Sequence, residues 1–204
     1  MYNESFVNMQ IDALEKRIGG IAIELGANHG MHTRKIAEKF DTVYAFEPHP
    51  DNIKVLQGAI KHYPHVEVIE AAVVPVPGKV KLYNCPNPGG HTISEDVMGH
   101  RIWGHNPDSY HEVQGIVLDD FCRNRKISFL KSDIEGAENT IFDGAIETLK
   151  NNKMDILIEI HRFVDCDRLF KFFTDLGYQI FDIDGIGRPT TFIADNHYIV
   201  TNRV

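Results

Sequence analysis

Only three cysteines, Cys85, Cys122 and Cys166, occur in the 204 residues, far apart and with no C-x-x-C pair. An odd, scattered set argues against a disulfide framework and fits a reducing compartment. It offers no zinc-type spacing either. No apolar run reaches the length of a membrane span, and the first residues carry no signal-peptide pattern. The expectation is a soluble, cytoplasmic chain without a membrane segment. Positive charge is also short: 21 Lys and Arg stand against 29 Asp and Glu, a formal net charge of −8. That balance argues against tracking a phosphate backbone, and no nucleic-acid partner is expected. The remainder, 43% hydrophobic and 25% charged, is ordinary for a globular protein. The length suits a single domain over residues 1–204.

What is present is an alternation of strands and helices. Residues 1–18 space Phe6, Met9, Ile11, Leu14 and Ile18 like an amphipathic helix, which Gly19-Gly20 should end. A strand over 21–25 follows, then a helix over 31–40 burying Met31, Ile36, Ala37 and Phe40. A strand at 42–46, a helix at 51–62 and a strand at 66–69 continue the repeat. Such a series defines an α/β class with a parallel sheet. Residues 74–117 break the rhythm: 79–85 and 113–118 alternate like an added antiparallel strand pair. Between them lies a Gly/Pro/His-rich excursion, 86–111. Loops this long are usually functional or disordered. Its histidines, His91, His100, His105 and His111, match no zinc pattern. A substrate lid hinged at Gly89-Gly90, with Trp103 and Tyr110 over an acceptor, is the functional reading; a disordered or oligomer-contact loop is the bland one. The repeat then resumes with a short helix at 119–126, a strand at 127–133, one helix over 136–151 and a strand at 155–161. A helix at 165–176 closed by Gly177 and strands at 178–183 and 197–201 complete it.

The stretch Glu24-Leu25-Gly26-Ala27-Asn28-His29-Gly30 ends the first strand in a glycine turn that leads into a helix. Backbone N–H groups at such a turn hold nucleotide-like ligands. The spacing is E-x-G-x-x-x-G rather than the G-x-G-x-x-G of dinucleotide enzymes, which favours S-adenosylmethionine (SAM) over NAD. Glu24, Glu47, Glu70, Asp133 and Glu159 each close a strand at the same sheet edge, where ligands of parallel sheets bind. Crowded carboxylates repel one another, so the rim calls for donors: a ribose diol, an amino group, an adenine amine, a sulfonium. Glu47, at the end of the second strand, is placed to accept both ribose hydroxyls, a feature shared with NAD enzymes. The bland reading of each is a solvated strand end or a helix cap.

Five segments then appear in order: Val43-Tyr44-Ala45-Phe46-Glu47-Pro48, Glu70-Ala71-Ala72-Val73, Val117-Leu118-Asp119-Asp120-Phe121, Leu130-Lys131-Ser132-Asp133-Ile134-Glu135-Gly136-Ala137-Glu138 and Ile158-Glu159-Ile160-His161. Over about residues 20–162 the chain resembles the FkbM family of SAM-dependent methyltransferases. The resemblance implies a Rossmann-like class I methyltransferase fold, a mostly parallel seven-stranded sheet with an antiparallel last strand. It implies that the loop from Gly26, Ala27 and Asn28 to Gly30 passes the methionine part of SAM, with Glu24 near its amino group. Glu47, followed by Pro48, should hold the ribose. Glu70 and Ala71 should border the adenine, and Asp133 should face the transferred methyl. His91 and Thr92 fall where members carry a Gly/Ser-rich segment near the active site, on the substrate side with Trp103 and Glu135.

Methyl transfer to a hydroxyl needs an aligned acceptor and a group to take its proton. Asp133, Glu135, Glu159 and His161 sit at ends of strands expected to be neighbours. His161 is the best base by its ordinary pKa, with Glu159 or Asp133 orienting it. Asp133, Glu159 and His161 could instead bind a divalent metal that acidifies the hydroxyl. Against these stand a Glu135 that only complements a helix N-terminus and a His161 that is merely hydrogen-bonded. The resemblance points to O-methylation of a sugar, glycan or small metabolite. RNA or protein methylation is the alternative, although no N-P-P-Y-like motif is present; a catalytically inactive SAM-fold binding module is another.

Overall fold

Strand β1 (Arg17–Leu25) lies inside a seven-stranded sheet, between β2 (Phe40–Phe46) and β7 (Ile127–Ser132), both parallel to it. The computed structural model describes residues 4–13, 17–100 and 104–203. Beyond β2 lies β3 (Val66–Ile69), and beyond β7 lies β8 (Asp155–Ile160), again in parallel register. The last strand, β10 (Asn196–Thr201), runs antiparallel between β8 and β9 (Gln179–Asp182). The order β3-β2-β1-β7-β8-β10-β9 makes β1 and β7 the point where successive strands move off in opposite directions. Loops diverge there and leave a crevice beyond the strand ends.

The core explains the strand sequences. Ile23, Leu25, Leu130, Ile156 and Ile158 are fully or almost fully buried, as strands covered on both faces require. Helix α8 (Cys166–Asp175) turns Leu169 and Phe173 onto the sheet, and its chain leaves through left-handed Gly177. Phe142, Phe173, Tyr178, Phe192 and Tyr198 form a chain of ring contacts over this half, with centroids 4.8–6.3 Å apart.

A smaller sheet holds the added strands. β5 (Gly78–Tyr83) pairs antiparallel with β6 (Tyr110–Ile116), as the alternation suggested. It is three-stranded rather than a pair, because β4 (Ala72–Val73) joins β6 in parallel. The excursion between β5 and β6 is not bare loop. It holds the short helix α4 (Glu95–His100), a bridge between Thr92 and Tyr83, and a buried His105 whose Nε2 meets the Gly90 carbonyl at 2.7 Å.

Three expectations are corrected. Helix α1 is described over Glu4–Ala13, and the Gly19-Gly20 pair lies inside β1, where the pairing with β2 shifts register. Glycines there mark a bulge, not a helix end. Met31, first residue of α2 (Met31–Ala37), faces solvent at 44% exposure. The helix expected over 136–151 is broken into α6 (Glu138–Ile141), a 3-10 turn at Phe142–Gly144 and α7 (Ile146–Asn151). The cause is distant in sequence. Asp119, in α5 (Leu118–Cys122), accepts from the Glu147 and Thr148 N–H groups at 3.1 and 2.7 Å and so starts a new helix there.

Among the described residues no helix is long and apolar enough to cross a membrane. Cys85, Cys122 and Cys166 form no disulfide.

Candidate functional site

The turn after β1 places three left-handed residues in five: Gly26 (φ 79°), Asn28 (φ 49°) and Gly30 (φ 81°). At Gly26 the need is absolute, since a Cβ would run into the Asp133 carbonyl oxygen. The turns after β1 and β7 therefore touch backbone to backbone, and the Asp133 N–H donates to Leu25 O at 3.1 Å. Gly30 answers a different demand. A Cβ there would meet Leu56 Cδ1 at 2.8 Å, so Gly30 allows α3 (Pro50–Ile60) to pack close. Asn28 tolerates the left-handed region as few residues do.

Glu47 leaves β2 into this turn and is 4% exposed. Its Oε2 accepts from the Asn28 N–H at 2.7 Å, and its Oε1 from the His49 N–H at 2.8 Å and Asn52 Nδ2 at 3.5 Å. Burial raises its pKa, while the backbone donors from His49 and Asn28 pull it back. The carboxylate is fixed by main chain, and its remaining lone pairs are free to accept.

A cavity of about 450 Å³ opens beside it, within the range of small-molecule sites. Of the residues singled out in the sequence, Gly26, Asn28, Glu47, Pro48, Ala71, His91, Asp133 and Glu135 line it. Asn28 Oδ1 is buried without a hydrogen-bond partner. An orphaned acceptor on a cavity wall marks a place for a ligand donor. The excursion supplies a wall through Asn87, Pro88 and Gly89, tied down where Asn52 Nδ2 donates to Pro88 O at 2.9 Å.

Other candidates lie elsewhere. Ala27 and Gly30 are buried behind the turn. Glu24 is 1% exposed and accepts from Thr33 Oγ1 at 2.6 Å; burial, opposed by Lys131, pushes its pKa up to about 7. Glu70 is a correction to the carboxylate rim. It is exposed, and chain alternation turns its neighbour Ala71 to the cavity instead. Thr92 is buried outside the cavity lining. Its Oγ1 donates to the Glu135 carbonyl at 2.6 Å and so holds the backbone of a residue at φ 54°. Tyr110 is 43% exposed and covers no cavity; Lys81 Nζ stands 4.5 Å over its ring. Trp103 lies outside the described residues. His91 accepts from the Cys85 N–H at 3.0 Å and stacks on His49 at 3.8 Å; burial, then His49, bring its pKa down to about 4.

The acidic end gathers more groups than the motifs announced. The two-residue period of a strand puts Lys131 with Asp133 and Glu159 with His161 on common faces. Lys131 is 4% exposed, with Nζ 3.1 Å from Asp133 Oδ2. His161 Nδ1 meets Oε1 of the fully buried Glu138 at 2.8 Å. His161 Nε2 faces Glu159 Oε1 and Glu135 Oε2 at 3.6 Å each and Asp133 Oδ1 at 3.7 Å. His197, from β10, stands 3.1 Å from Glu159 Oε2.

The environment of His161 is strongly acidic. Burial disfavours charge on His161, but Glu138, Glu135 and Glu159 outweigh it and lift its pKa well above 6.5. His161 stands behind Asp133 and Glu135 rather than in the cavity lining. Burial likewise opposes charge on Asp133, yet Lys131 and His161 hold its pKa down to about 2. Burial drives Glu135 up to about 8 against the pull of His161. Lys131, Glu138 and His197 escaped the sequence reading. The first two stood inside the quoted K-S-D-I-E-G-A-E segment, whereas nothing local marked His197.

A sheet ordered β3-β2-β1-β7-β8-β10-β9, with its antiparallel strand beside the last edge and a cavity at the β1/β7 crossing, is the class I methyltransferase architecture. Residues 24–180 match the methyltransferase FkbM domain, and the chain belongs to that family. Among solved structures it is similar to the methyltransferase FkbM from Methylobacillus flagellatus, with TM-score 0.60 and 19% identity, covering 92% of this chain and 43% of that one. The chain thus spans less than half the length of that relative. It is also similar in fold to an rRNA methylase from Streptococcus thermophilus (TM-score 0.51, 12% identity, 97% and 92% covered). A third similar structure is TrmK of M. capricolum in complex with S-adenosylhomocysteine (TM-score 0.51, 12% identity, 96% and 66% covered). Comparison with curated protein sequences gives no match.

Proposed function

We propose that the chain is a SAM-dependent O-methyltransferase acting on a hydroxyl of a sugar, glycan or small metabolite. One observation carries the reading: a single cavity joins a backbone-fixed carboxylate, Glu47, to a wall of acidic groups led by Asp133 and Glu135. The residues present fit SAM. The orphaned Asn28 Oδ1 takes a donor, Glu47 takes the ribose diol, Pro48 and Ala71 flank an aromatic base, and Asp133 faces the sulfonium end. When bound, SAM supplies a methyl on a positively charged sulfur.

The acidic end then has two tasks. Asp133 stabilises positive charge, and with Glu135 it holds the acceptor hydroxyl in line with the methyl. The ionised Asp133 carboxylate on the cavity wall would receive the acceptor's hydroxyl proton as the methyl is transferred. A cavity of about 450 Å³ suits a small acceptor end rather than a duplex. The formal charge of −8 does not favour a phosphate backbone, which sets RNA methylation second. Three cysteines outside any disulfide fit a cytoplasmic setting.

The test is formation of S-adenosylhomocysteine by the full chain from SAM and a panel of hydroxylated sugars and metabolites. Methylated oxygen in the product is expected. Tight SAM binding with turnover only on RNA or protein substrates would overturn the acceptor class.

A further inference from the structure

Three side chains at the acidic end each turn one polar atom to a common point. Asp133 gives Oδ2 to Lys131 at 3.1 Å and turns Oδ1 inward. Glu159 has Oε2 3.1 Å from His197 and turns Oε1 inward. His161 has Nδ1 held by Glu138 at 2.8 Å and turns Nε2 inward. We propose that Asp133, Glu159 and His161 bind a divalent cation through these inward atoms, at the wall of the cavity beside Glu135.

The inward distances decide between a shared proton and a shared ion. Nε2 stands 3.6 Å from Glu159 Oε1 and 3.7 Å from Asp133 Oδ1. An N–H···O bond closes to about 2.7–3.2 Å, so Nε2, on a side chain some nine-tenths buried, makes none. An imidazole nitrogen and a carboxylate oxygen bound to one tetrahedral ion at about 2.1–2.2 Å lie about 3.5 Å apart. One donor atom from each of the three falls within 4.8 Å of the others. Glu135 Oε2, 3.6 Å from Nε2, is a fourth ligand on the cavity side.

The surroundings are those of a metal histidine. A ligating imidazole characteristically gives its other nitrogen to a carboxylate, which fixes ring and tautomer. Glu138 does this from a fully buried position with Oε2 otherwise unpartnered. One nitrogen with two or three carboxylate oxygens suits Mn²⁺ or Zn²⁺, and Mg²⁺ less well. Such an ion would acidify an acceptor hydroxyl bound to it. That use rests on the methyl-transfer reading; the binding itself does not.

The full chain, stripped of metal and free of SAM, is titrated with Mn²⁺ alone and followed by electron spin resonance. One site per chain is expected, with imidazole nitrogen coupling in the spin-echo spectrum. Glu138→Gln, which leaves every ligand in place, should weaken Mn²⁺ about 10–100-fold. His161→Gln should remove the nitrogen coupling, and both variants should still bind SAM, which shows that they are folded and tests the SAM reading separately. Should a variant not fold, the wild-type spectrum decides: nitrogen coupling supports the site. A bound ion without that coupling, or no stoichiometric binding of Mn²⁺, Zn²⁺ or Mg²⁺, overturns it.

Discussion

The two ends of the cavity are built on opposite principles. At the Glu47 end, a single carboxylate is held by main-chain N–H groups from Asn28 and His49, and the backbone that carries them is locked by glycine geometry. Around Asp133, five carboxyl groups (Glu24, Asp133, Glu135, Glu138 and Glu159) crowd about Lys131, His161 and His197, in contact through side chains. The first arrangement is complete without a ligand except for its free lone pairs. The second keeps excess carboxylate in a buried space, which costs free energy unless a cation or a substrate donor answers it. A rigid end that recognises and an unbalanced end that reacts are what a group-transfer site needs.

The comparison can be broken from the rigid end first. Gly26→Ala sets a Cβ against the Asp133 carbonyl at φ 79°. A loss of roughly 3 kcal/mol or more of unfolding free energy is expected in denaturant titration, since strain and overpacking add. At the other end, Glu24 ties stability to pH. Its folded pKa of about 7 lies above the ordinary 4.5, mainly through burial. The folded chain then holds a proton that the unfolded chain has released, so stability falls as pH rises from 4.5 to 7. Glu24→Gln should remove up to ~3 kcal/mol of that decline, read from unfolding curves across the same window. His32, brought down to about 3 chiefly by burial, acts oppositely: stability is lost as pH falls from 6.5 toward 3.

Smaller effects sharpen the contrast. Glu47→Ala should weaken SAM by about 1–3 kcal/mol, because the ribose donors lose their acceptor. Thr92→Val removes the hydroxyl that holds the Glu135 carbonyl. A loss of about 1 kcal/mol in stability is expected, with kcat lowered while SAM affinity is unchanged.

How much of this was legible in the sequence follows the same division. The rigid end is local: a strand, a glycine turn and a Pro-stopped strand fix Gly26, Asn28 and Glu47 within 24 residues, and pattern finds them. The reactive end is assembled from β7, α6, β8 and β10, and only the strand period hinted that Lys131 joins Asp133. His197 reaches Glu159 because β10 inserts antiparallel beside β8, pairing His197 with Glu159 across the ladder. No local signal encodes that insertion. Glu70 failed for the converse reason, since a strand end can turn its carboxylate outward at no cost at the sheet edge. The broken helix at 142–145 depends on Asp119, which lies more than twenty residues away. The broad fold, by contrast, repeats a unit seen again and again, and the strand–helix alternation carried it.

The central claim is that the backbone-fixed Glu47 holds SAM and that His161 is not needed for it. Isothermal titration of the metal-free chain with SAM tests it directly, alongside Glu47→Ala and His161→Gln. The expected result is one SAM per chain, weakened about 5–150-fold by Glu47→Ala and unchanged by His161→Gln. No binding to the wild type, or equal affinity in Glu47→Ala, would contradict it.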